Sequence, residues 1–433
     1  MGEKKALVLC GGGAKGAYHI GVWKALQELG YKPDIITGTS VGALNGALFT
    51  IGKADVAEEL WKNMSMDTVF EDDANKDINS IKSVNEFVLK LGKIGGIDPK
   101  PLKETFKSLS DEEAFKKSKI EFGLVTTQLK PPKRVELFTD EIEEGKIADY
   151  VLASTACFPI MQKYSIDGVD YIDGGYTDNV PFNMALDRGA TELVIVDMHG
   201  MYHVSRPDDV TAKIHYVSPK EDLGNFMIFN KKQSLLDMQL GYMDTLKAFG
   251  KLEGTYYAFD LGSTKKANEY NGACRSFYKR IFTDLPKDSA LEKLAKSSFY
   301  KCIKNYNEEL FCESCNVLDI LEIAAEIYDV DLYKIYSFEE LANEVHTKYL
   351  KSIESEIYKK IMSLTEIKKS MTSFTELKKI FSNYDRKELS NYIAYLFTIS
   401  ELTMIQKNQI LAITAIMPEC LCAAILVSGF HEN

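Results

Sequence analysis

Gly11-Gly12-Gly13-Ala14-Lys15-Gly16 and Gly38-Thr39-Ser40-Val41-Gly42 are two glycine-bracketed segments that lie close together near the start of the chain. The first one follows the apolar run Ala6–Cys10, which predicts a buried strand. It precedes a segment, 17–29, whose apolar residues repeat with a period of 3.6, which predicts a helix that ends at Gly30. A glycine run at such a junction directs backbone N–H groups at one point, and this suits an oxyanion or a phosphate.

A G-x-G-x-x-G pattern between a strand and a helix also fits dinucleotide binding, so the first segment alone leaves two chemistries open. The second segment adds a nucleophile. Residues 33–37 predict a short strand and residues 41–49 a small, apolar packed helix, so Ser40 lies on a sharp strand-to-helix turn. Gly38 and Gly42 allow that turn to close and leave the hydroxyl exposed, as in a nucleophile elbow.

A serine hydroxyl needs a base to take its proton and donors to stabilise the oxyanion. Asp173 is a candidate base, because it opens the glycine turn Asp173-Gly174-Gly175 and can face a cleft there. The common alternative is that Asp173 only stabilises the turn and has no catalytic role. An aspartate with an ordinary pKa of about 3.9 is a poor base, so burial or hydrogen bonding would have to tune it.

Histidine is the usual activator of serine, and the chain has six. His199 follows an apolar strand downstream of Asp173, as a Ser…Asp…His order requires, but no motif surrounds it. His19 is expected on a helix surface near the glycine run. The sequence therefore favours the aspartate over a histidine as the base.

The three motifs at 11–16, 38–42 and 173–175, in this order, resemble those of the patatin-like phospholipase family. The segments 153–159 and 179–181 on either side of the aspartate are also similar, and the resemblance covers residues 5–260. It implies a Ser40–Asp173 catalytic dyad with no histidine. The resemblance also implies an oxyanion hole in which the Gly12 and Gly13 amides are the donors. The residues of this hole are Gly11, Gly12, Gly13, Lys15 and Gly16. The glycines that support the other two motifs are Gly38, Gly42, Gly174 and Gly175.

The activity that the resemblance implies is hydrolysis of lipid acyl esters through an acyl-enzyme, with neither a metal nor a cofactor. The expected partner is a lipid substrate, such as a phospholipid at a membrane surface. Family members often need an activator, so an activating protein or ligand is a further expectation, with the helical C-terminal half as its hypothetical binding site.

Composition narrows the partners and the location. A formal net charge of −11 and a pI near 5.3 argue against nucleic acid, which requires a basic face. The eight cysteines include a single C-x-x-C, Cys312 to Cys315, too few ligands for structural zinc. The apolar run at the N-terminus is too short for a signal peptide. We therefore expect reduced thiols and a cytoplasmic protein, peripheral at the membrane if it is bound there.

At 433 residues the chain is too long for one typical core. We expect a three-layer α/β/α domain with a mostly parallel sheet over residues 1–264. Residues 265–433 should form an all-helical accessory domain of unknown role. The apolar stretch 410–430 is interrupted by Pro418-Glu419, which favours two buried or interfacial helices over one membrane span. Residues 81–107 are amphipathic and basic, which fits a peripheral solvated helix or, alternatively, a membrane-surface segment or flap.

Two other functions stay open at this point. One is a non-catalytic lipid-binding or regulatory module on the same fold. The other is a nucleotide-dependent oxidoreductase that uses residues 11–16, with Asp34 as an approximate match for the ribose-binding acid. The oxidoreductase leaves the presence of Ser40 and Asp173 unexplained.

Overall fold

A computed structural model of the chain describes residues 3–71, 95–199, 211–282, 289–303, 317–354 and 373–429. The chain separates into two compact units, Met1–Gly250 and Lys251–Asn433. The assignment of an acyl hydrolase role to residues 1–264 and an accessory role to residues 265–433 stays a prediction.

The first unit alternates strands and helices, as a parallel sheet with helical crossovers requires. Its strands are Lys5–Leu9 (β1), Ile35–Thr39 (β2), Glu121–Gln128 (β3), Lys133–Phe138 (β4), Tyr164–Ile166 (β5), Val169–Asp173 (β6), Glu192–Val196 (β7) and Lys213–Val217 (β8). Its helices are Ala17–Glu28 (α1), Val41–Thr50 (α2), Ala54–Lys62 (α3), Met66–Val69 (α4), Lys100–Leu109 (α5), Glu112–Lys117 (α6), Ile147–Ser154 (α7), Phe182–Asp187 (α8) and Lys231–Ala248 (α9).

The sheet is mixed but mostly parallel, in the order β5-β6-β3-β2-β1-β7-β8 with β4 also paired to β3. The five strands β3-β2-β1-β7-β8 are all parallel. Strands β1 and β7 are nearly continuous apolar runs and are buried almost throughout, because they lie in the middle of the sheet with both faces covered. The predicted α/β fold with a mostly parallel sheet is confirmed, and the first two predicted strands are correct to within two residues.

Strand β3 brings the two predicted catalytic residues to one place. Its Val125 pairs with Thr39 of β2, and the next residue, Thr126, pairs with Asp173 of β6. Strand β4 runs along the other edge of β3 past both positions. Strands β2 and β6 therefore share one edge of β3 and meet end to end, which puts Ser40, directly after β2, beside Asp173.

Helix α1 is more deeply buried than the sequence suggests. Gly21 and Gly241 let α1 and α9 approach so closely that a Cβ on Gly21 would lie 1.8 Å from the Met238 carbonyl oxygen. Residues 17–22 are all buried as a result. The expectation that His19 lies on a helix surface is therefore wrong, because its side chain is fully buried.

In its described residues, the second unit is helical apart from one two-stranded parallel pair, Ala258–Phe259 (β9) with Ile335–Tyr336 (β10). Its helices are Ser263–Asn268 (α10), Asn271–Phe282 (α11), Ala290–Cys302 (α12), Val317–Ile327 (α13), Phe338–Ile353 (α14), Phe374–Phe381 (α15), Arg386–Phe397 (α16), Met404–Ile416 (α17) and Glu419–Gly429 (α18). They enclose a single apolar core within this unit. The predicted helical C-terminal region is confirmed.

The apolar stretch near the C-terminus forms two helices, α17 and α18, which separate at Met417-Pro418 as expected. In the described part of the chain, every helix is too short or too polar to cross a bilayer. Two features of the sequence lie outside the described residues: the C-x-x-C at 312–315 and residues 81–94 of the amphipathic segment 81–107. The end of that segment belongs to α5.

Candidate active site

Ser40 occupies the turn between β2 and α2 with an unusual backbone. Its φ of 54° and ψ of −123° lie outside the regions that non-glycine residues favour, a conformation that costs on the order of 1–3 kcal/mol. The turn is tight on both sides, because a Cβ on Gly38 would lie 2.4 Å from the Gly42 carbonyl oxygen. A Cβ on Gly42 would in turn lie 2.2 Å from the Leu9 carbonyl oxygen. Only glycine fits at these two positions.

The Ser40 hydroxyl donates a hydrogen bond to Asp173 Oδ2 at 2.6 Å. Serine at the N-cap of a helix ordinarily accepts a hydrogen bond from the helix backbone, but Ser40 makes no such bond in α2. Its hydroxyl is directed to the carboxylate instead. A short O–H···O contact to a carboxylate is the arrangement that proton transfer from the hydroxyl requires.

The environment of Asp173 shifts its proton affinity. Its side chain is buried, and this burial raises the pKa of the carboxyl from 3.8 to about 6. Hydrogen bonds from the Ser40 hydroxyl and from the Gly175 amide, the latter at 2.8 Å to Oδ1, limit that rise because they stabilise the ionised form. A carboxylate with a pKa near 6 is a better base than an exposed aspartate and is still mostly ionised at neutral pH.

A second serine, Ser154, is hydrogen-bonded to the backbone of the Ser40 turn. The Ser154 hydroxyl accepts a hydrogen bond from the Ser40 amide at 2.8 Å and donates one to the Val125 carbonyl at 2.6 Å. Ser154 is fully buried at the C-terminal end of α7. The sequence analysis noted the segment around Ser154 as part of the family resemblance but gave this residue no role.

Two amides of the glycine-rich loop are not used by the described hydrogen bonds. Amides of its other residues are engaged: that of Gly11 with the Asn179 carbonyl at 3.2 Å and that of Lys15 with the Gly12 carbonyl at 3.2 Å. Within the described residues, the hydrogen bonds leave the Gly12 and Gly13 amides without an acceptor. Gly11, Gly12, Gly13 and Lys15 line the same cavity as Ser40 and Asp173.

The carbonyl group of Phe226 packs against the glycine-rich loop at Gly13 and Ala14. Gly13 has a φ of 57°, and the Phe226 carbonyl oxygen would lie 2.2 Å from a Cβ at this position. The same oxygen accepts a hydrogen bond from the Ala14 amide at 2.7 Å. Gly16, predicted as part of the oxyanion hole, is outside the cavity lining and packs against Val41 and Trp61. Close packing at the start of α1 accounts for a glycine at this position, and its role in the oxyanion hole stays a prediction.

Hydrogen bonds tie the loop after Asp173 to the rest of the site. Thr37 Oγ1 donates to the Pro181 carbonyl and Thr39 Oγ1 to the Asp178 carbonyl, each at 2.9 Å. Gly174 packs so closely on β3 that a Cβ there would lie 2.1 Å from the Val125 carbonyl oxygen. The turn that carries Asp173 is thus fixed against β2 and β3.

The cavity at the dyad has a volume of about 190 Å³ and a mainly apolar wall. Its apolar lining comes from α2, α3, α5 and the loop before α9, and includes Leu44, Leu48, Trp61, Phe106, Phe226 and Phe229. The apolar side of α5 therefore forms a wall of the cavity, while Lys103 and Lys107 of the same helix pair with Asp98 and Asp149. Residues 226–229 carry no motif, so no sequence pattern identified them as part of the site.

The two histidines near the site, His199 and His19, are not hydrogen-bonded to Ser40 or Asp173 in the described contacts. His199 lines the cavity, but its Nε2 lies 2.9 Å from Ser218 Oγ, and both oxygens of Asp173 are already engaged by Ser40 and Gly175. His19 lies beneath the site, with Nδ1 at 3.3 Å from Asn45 Nδ2, and burial lowers the pKa of its imidazole to about 3. The described contacts thus join the serine to an aspartate and not to a histidine.

Asn45 connects α2 to the glycine-rich segment. Its Nδ2 donates to the Gly16 carbonyl at 2.9 Å, and its Oδ1 accepts from Trp61 Nε1 at 3.0 Å. Since Nδ2 also faces His19 Nδ1, the proton of this neutral imidazole belongs on Nε2, which is buried and has no hydrogen-bond partner among the residues that the structure describes.

The position of Asp34 disfavours a dinucleotide site. Its Oδ2 accepts from the Lys5 amide at 2.8 Å, so it lies beside the start of β1 and just before β2. The glycine-rich loop follows the other end of β1. A ribose-binding acid belongs at the carboxyl end of the second strand, which Ser40 occupies here.

Comparison with known proteins agrees with the motifs. A family model described as patatin-like phospholipase matches residues 7–186, which include all three motifs. The chain is 30% identical over 204 residues to "Neuropathy target esterase sws" of Drosophila melanogaster, covering 46% of this chain and 13% of the relative. It is 26% identical over 278 residues to "Lysophospholipase NTE1" of Kluyveromyces lactis, covering 59% of this chain and 17% of the relative. The chain thus matches only a small part of these longer proteins.

Two solved structures are distantly similar. The structure of VipD from Legionella pneumophila has a TM-score of 0.40 at 15% identity, with 95% of this chain and 90% of that chain covered. The type III effector ExoU has a TM-score of 0.35 at 13% identity, with coverages of 95% and 93%. The family match confirms the resemblance that the three motifs predict: residues 7–186 of the chain match the model of the patatin-like phospholipase family.

Proposed function

We propose that the protein hydrolyses acyl esters of lipids, with Ser40 as the nucleophile and Asp173 as the general base. The observation that carries the proposal is the 2.6 Å hydrogen bond from Ser40 Oγ to Asp173 Oδ2 at one end of an apolar cavity. An acyl chain fits that cavity because its wall is mainly apolar. The family match and the names of the relatives, an esterase and a lysophospholipase, support the same class of reaction.

In the first half of the reaction, Asp173 accepts the Ser40 proton as Oγ attacks the ester carbonyl carbon. The carbonyl oxygen becomes an oxyanion, for which the Gly12 and Gly13 amides are the proposed donors. The tetrahedral intermediate then expels the alcohol, which takes the proton back from Asp173. The acyl group stays on Ser40 as an ester.

In the second half, a water molecule attacks the acyl carbon and gives a proton to Asp173. The oxyanion forms again at the same amides. Its collapse breaks the bond to Ser40 Oγ, which recovers the proton from Asp173, and the fatty acid leaves. The site thus returns to its starting state with one water consumed.

The test is fatty-acid release from vesicles that contain both phospholipid and neutral lipid. Ser40→Ala and Asp173→Asn should each lower the rate on the order of a thousandfold or more, because neither can form the acyl-enzyme efficiently. Ser165→Ala and Asp55→Asn, at exposed positions of the same unit, are matched controls and should keep the wild-type rate. The head group of the lipid that is consumed would identify the substrate.

The same set of variants separates catalysis from a lipid-binding role. A binding module would pull down with the vesicles and release no fatty acid, and its Ser40→Ala variant would bind as the wild type does. Fatty-acid release that persists in both Ser40→Ala and Asp173→Asn would rule out the proposed dyad.

A further inference from the structure

The cavity at Ser40 extends along one face of helix α2. Val41, Leu44 and Leu48 repeat at helical spacing on one face of α2, and all three line it. The rise of an α-helix places Leu48 about 12 Å from Ser40 along this face. An acyl chain whose carbonyl lies at Ser40 would therefore extend along α2 away from the dyad.

A second cavity of about 410 Å³ lies beside the first one, between α3 and α5. Four residues line both cavities: Leu60, Met64, Leu102 and Thr105. Because the same side chains face both spaces, the wall between them is one layer of side chains thick. We call these four residues the partition.

The partition is made of side chains that can move. Leu60, Leu102 and Thr105 are only partly buried, and Met64 is a flexible, unbranched side chain. Rotamer changes of such residues are fast compared with enzyme turnover. No buried ion pair of the described residues has to break for the wall to open, because its four members carry no charge.

We infer that the second cavity is an acyl-tail chamber, which receives the distal end of a long fatty acyl chain after the partition side chains move aside. The inference rests on the proposed function, because it places the ester carbonyl at Ser40. Continuity with the catalytic cavity argues for this occupant. So does the apolar part of the chamber wall, which besides the partition includes Val56 and Pro101. The remaining members, Glu59, Asn63 and Thr68, are polar and, like Val56, lie on the solvent-exposed side.

The chamber makes the enzyme selective for chain length. A short acyl chain ends within the first cavity and does not enter the chamber. A long chain gains affinity from the chamber, by a factor of about four for each methylene group removed from water. Substitutions in the partition should therefore change the rates of long-chain substrates more than those of short-chain substrates.

The test uses Thr105→Trp, which fills the partition, and Ser108→Trp as the matched control on an exposed face of the same helix. The readout is kcat/KM for p-nitrophenyl butyrate, octanoate and palmitate. Thr105→Trp should lower the palmitate-to-butyrate ratio at least about tenfold, because several methylene groups of the palmitoyl chain can no longer enter the chamber. Ser108→Trp should leave the ratio as in the wild type. Leu102→Ala, which widens the passage, should raise it.

A Thr105→Trp protein whose palmitate-to-butyrate ratio equals that of the wild type would overturn the chamber. This holds whether the three rates are unchanged or fall by the same factor, as they would if the fold were damaged. Fatty-acid binding to the Ser40→Ala protein, measured by isothermal titration calorimetry, tests the chamber without catalysis. Palmitate should bind more tightly than octanoate, and Thr105→Trp should abolish the difference. That result, together with a wild-type protein that hydrolyses none of the three esters, would keep the chamber and refute the proposed function. Equal binding of the two fatty acids would reject the chamber whatever the esterase result.

Discussion

The Ser154 hydroxyl links the backbone of Ser40 to the end of strand β3, since it accepts from the Ser40 amide and donates to the Val125 carbonyl. The turn at Ser40 has an unfavourable backbone conformation, so it persists only if its surroundings hold it. Ser154 is one of the groups that hold it, and it does so from within the fully buried core.

Ser154→Ala should therefore lower kcat by a factor of about 10 to 100 with little change in KM, because the loss of one buried hydrogen-bond partner costs about 1–3 kcal/mol. Ser154→Thr keeps the hydroxyl and should recover part of the rate. Steady-state kinetics on one ester, with the exposed Ser165→Ala as control, checks this. A kcat for Ser154→Ala equal to that of the wild type would show that the turn does not depend on this hydrogen bond.

The rate should depend on the ionisation of Asp173. Burial raises the pKa of its carboxyl to about 6, so the base is ionised above that pH and protonated below it. We expect kcat/KM to rise about tenfold per pH unit below 6 and to level off above about 7. A pH–rate profile on a neutral ester checks this, and a rate that is constant from pH 5 to pH 8 would contradict it.

Asp173 should also reduce the stability of the fold at neutral pH. The folded protein holds its proton up to about pH 6, whereas an unfolded aspartate loses it near 3.8. The resulting stabilisation is complete below about pH 3.8 and is lost as the pH rises through about 6. Asp173→Asn should therefore be more stable than the wild type at pH 8, by up to about 3 kcal/mol, and this advantage should vanish near pH 4. Thermal denaturation at both pH values is the measurement.

The glycine-rich loop offers a paired test of backbone geometry. Gly13→Ala should lower the free energy of unfolding by more than about 2 kcal/mol, because its φ is positive and its Cβ would meet a carbonyl oxygen. Gly12→Ala should cost less than about 1 kcal/mol. Its φ of 172° is extended, and its Cβ would meet only the movable end of Met198 at 2.8 Å. Urea denaturation of the two variants compares them directly, and equal losses would count against this account.

His19 should have the opposite pH dependence to Asp173. Burial lowers the pKa of its imidazole to about 3, so only the unfolded chain takes up the proton near pH 6.5. Its contribution to stability is present above about pH 6.5 and is lost as the pH falls toward 3. His19→Phe should therefore gain stability relative to the wild type between pH 7 and pH 4. A difference in melting temperature that stays constant over this range would contradict the assignment.

The sequence determined much of the site because its motifs are local. The glycines of 11–16 and 38–42 dictate tight turns at strand ends, where only a residue without Cβ fits, and the turns put Ser40 and the loop amides at the same edge of a parallel sheet. The apolar runs of the strands and the Pro418 break between the last helices are equally local signals. These features follow from the allowed backbone angles and from the alternation of apolar and polar residues.

The tertiary structure alone decided what depends on residues far apart in the chain. Ser40 and Asp173 are 133 residues apart and meet because β2 and β6 share one edge of β3, a pairing that no local pattern encodes. His19 is buried because α9, more than 200 residues further along, packs against α1 through two glycines. The raised pKa of Asp173 has the same origin, since burial depends on the packing of distant segments and not on the residue or its immediate neighbours.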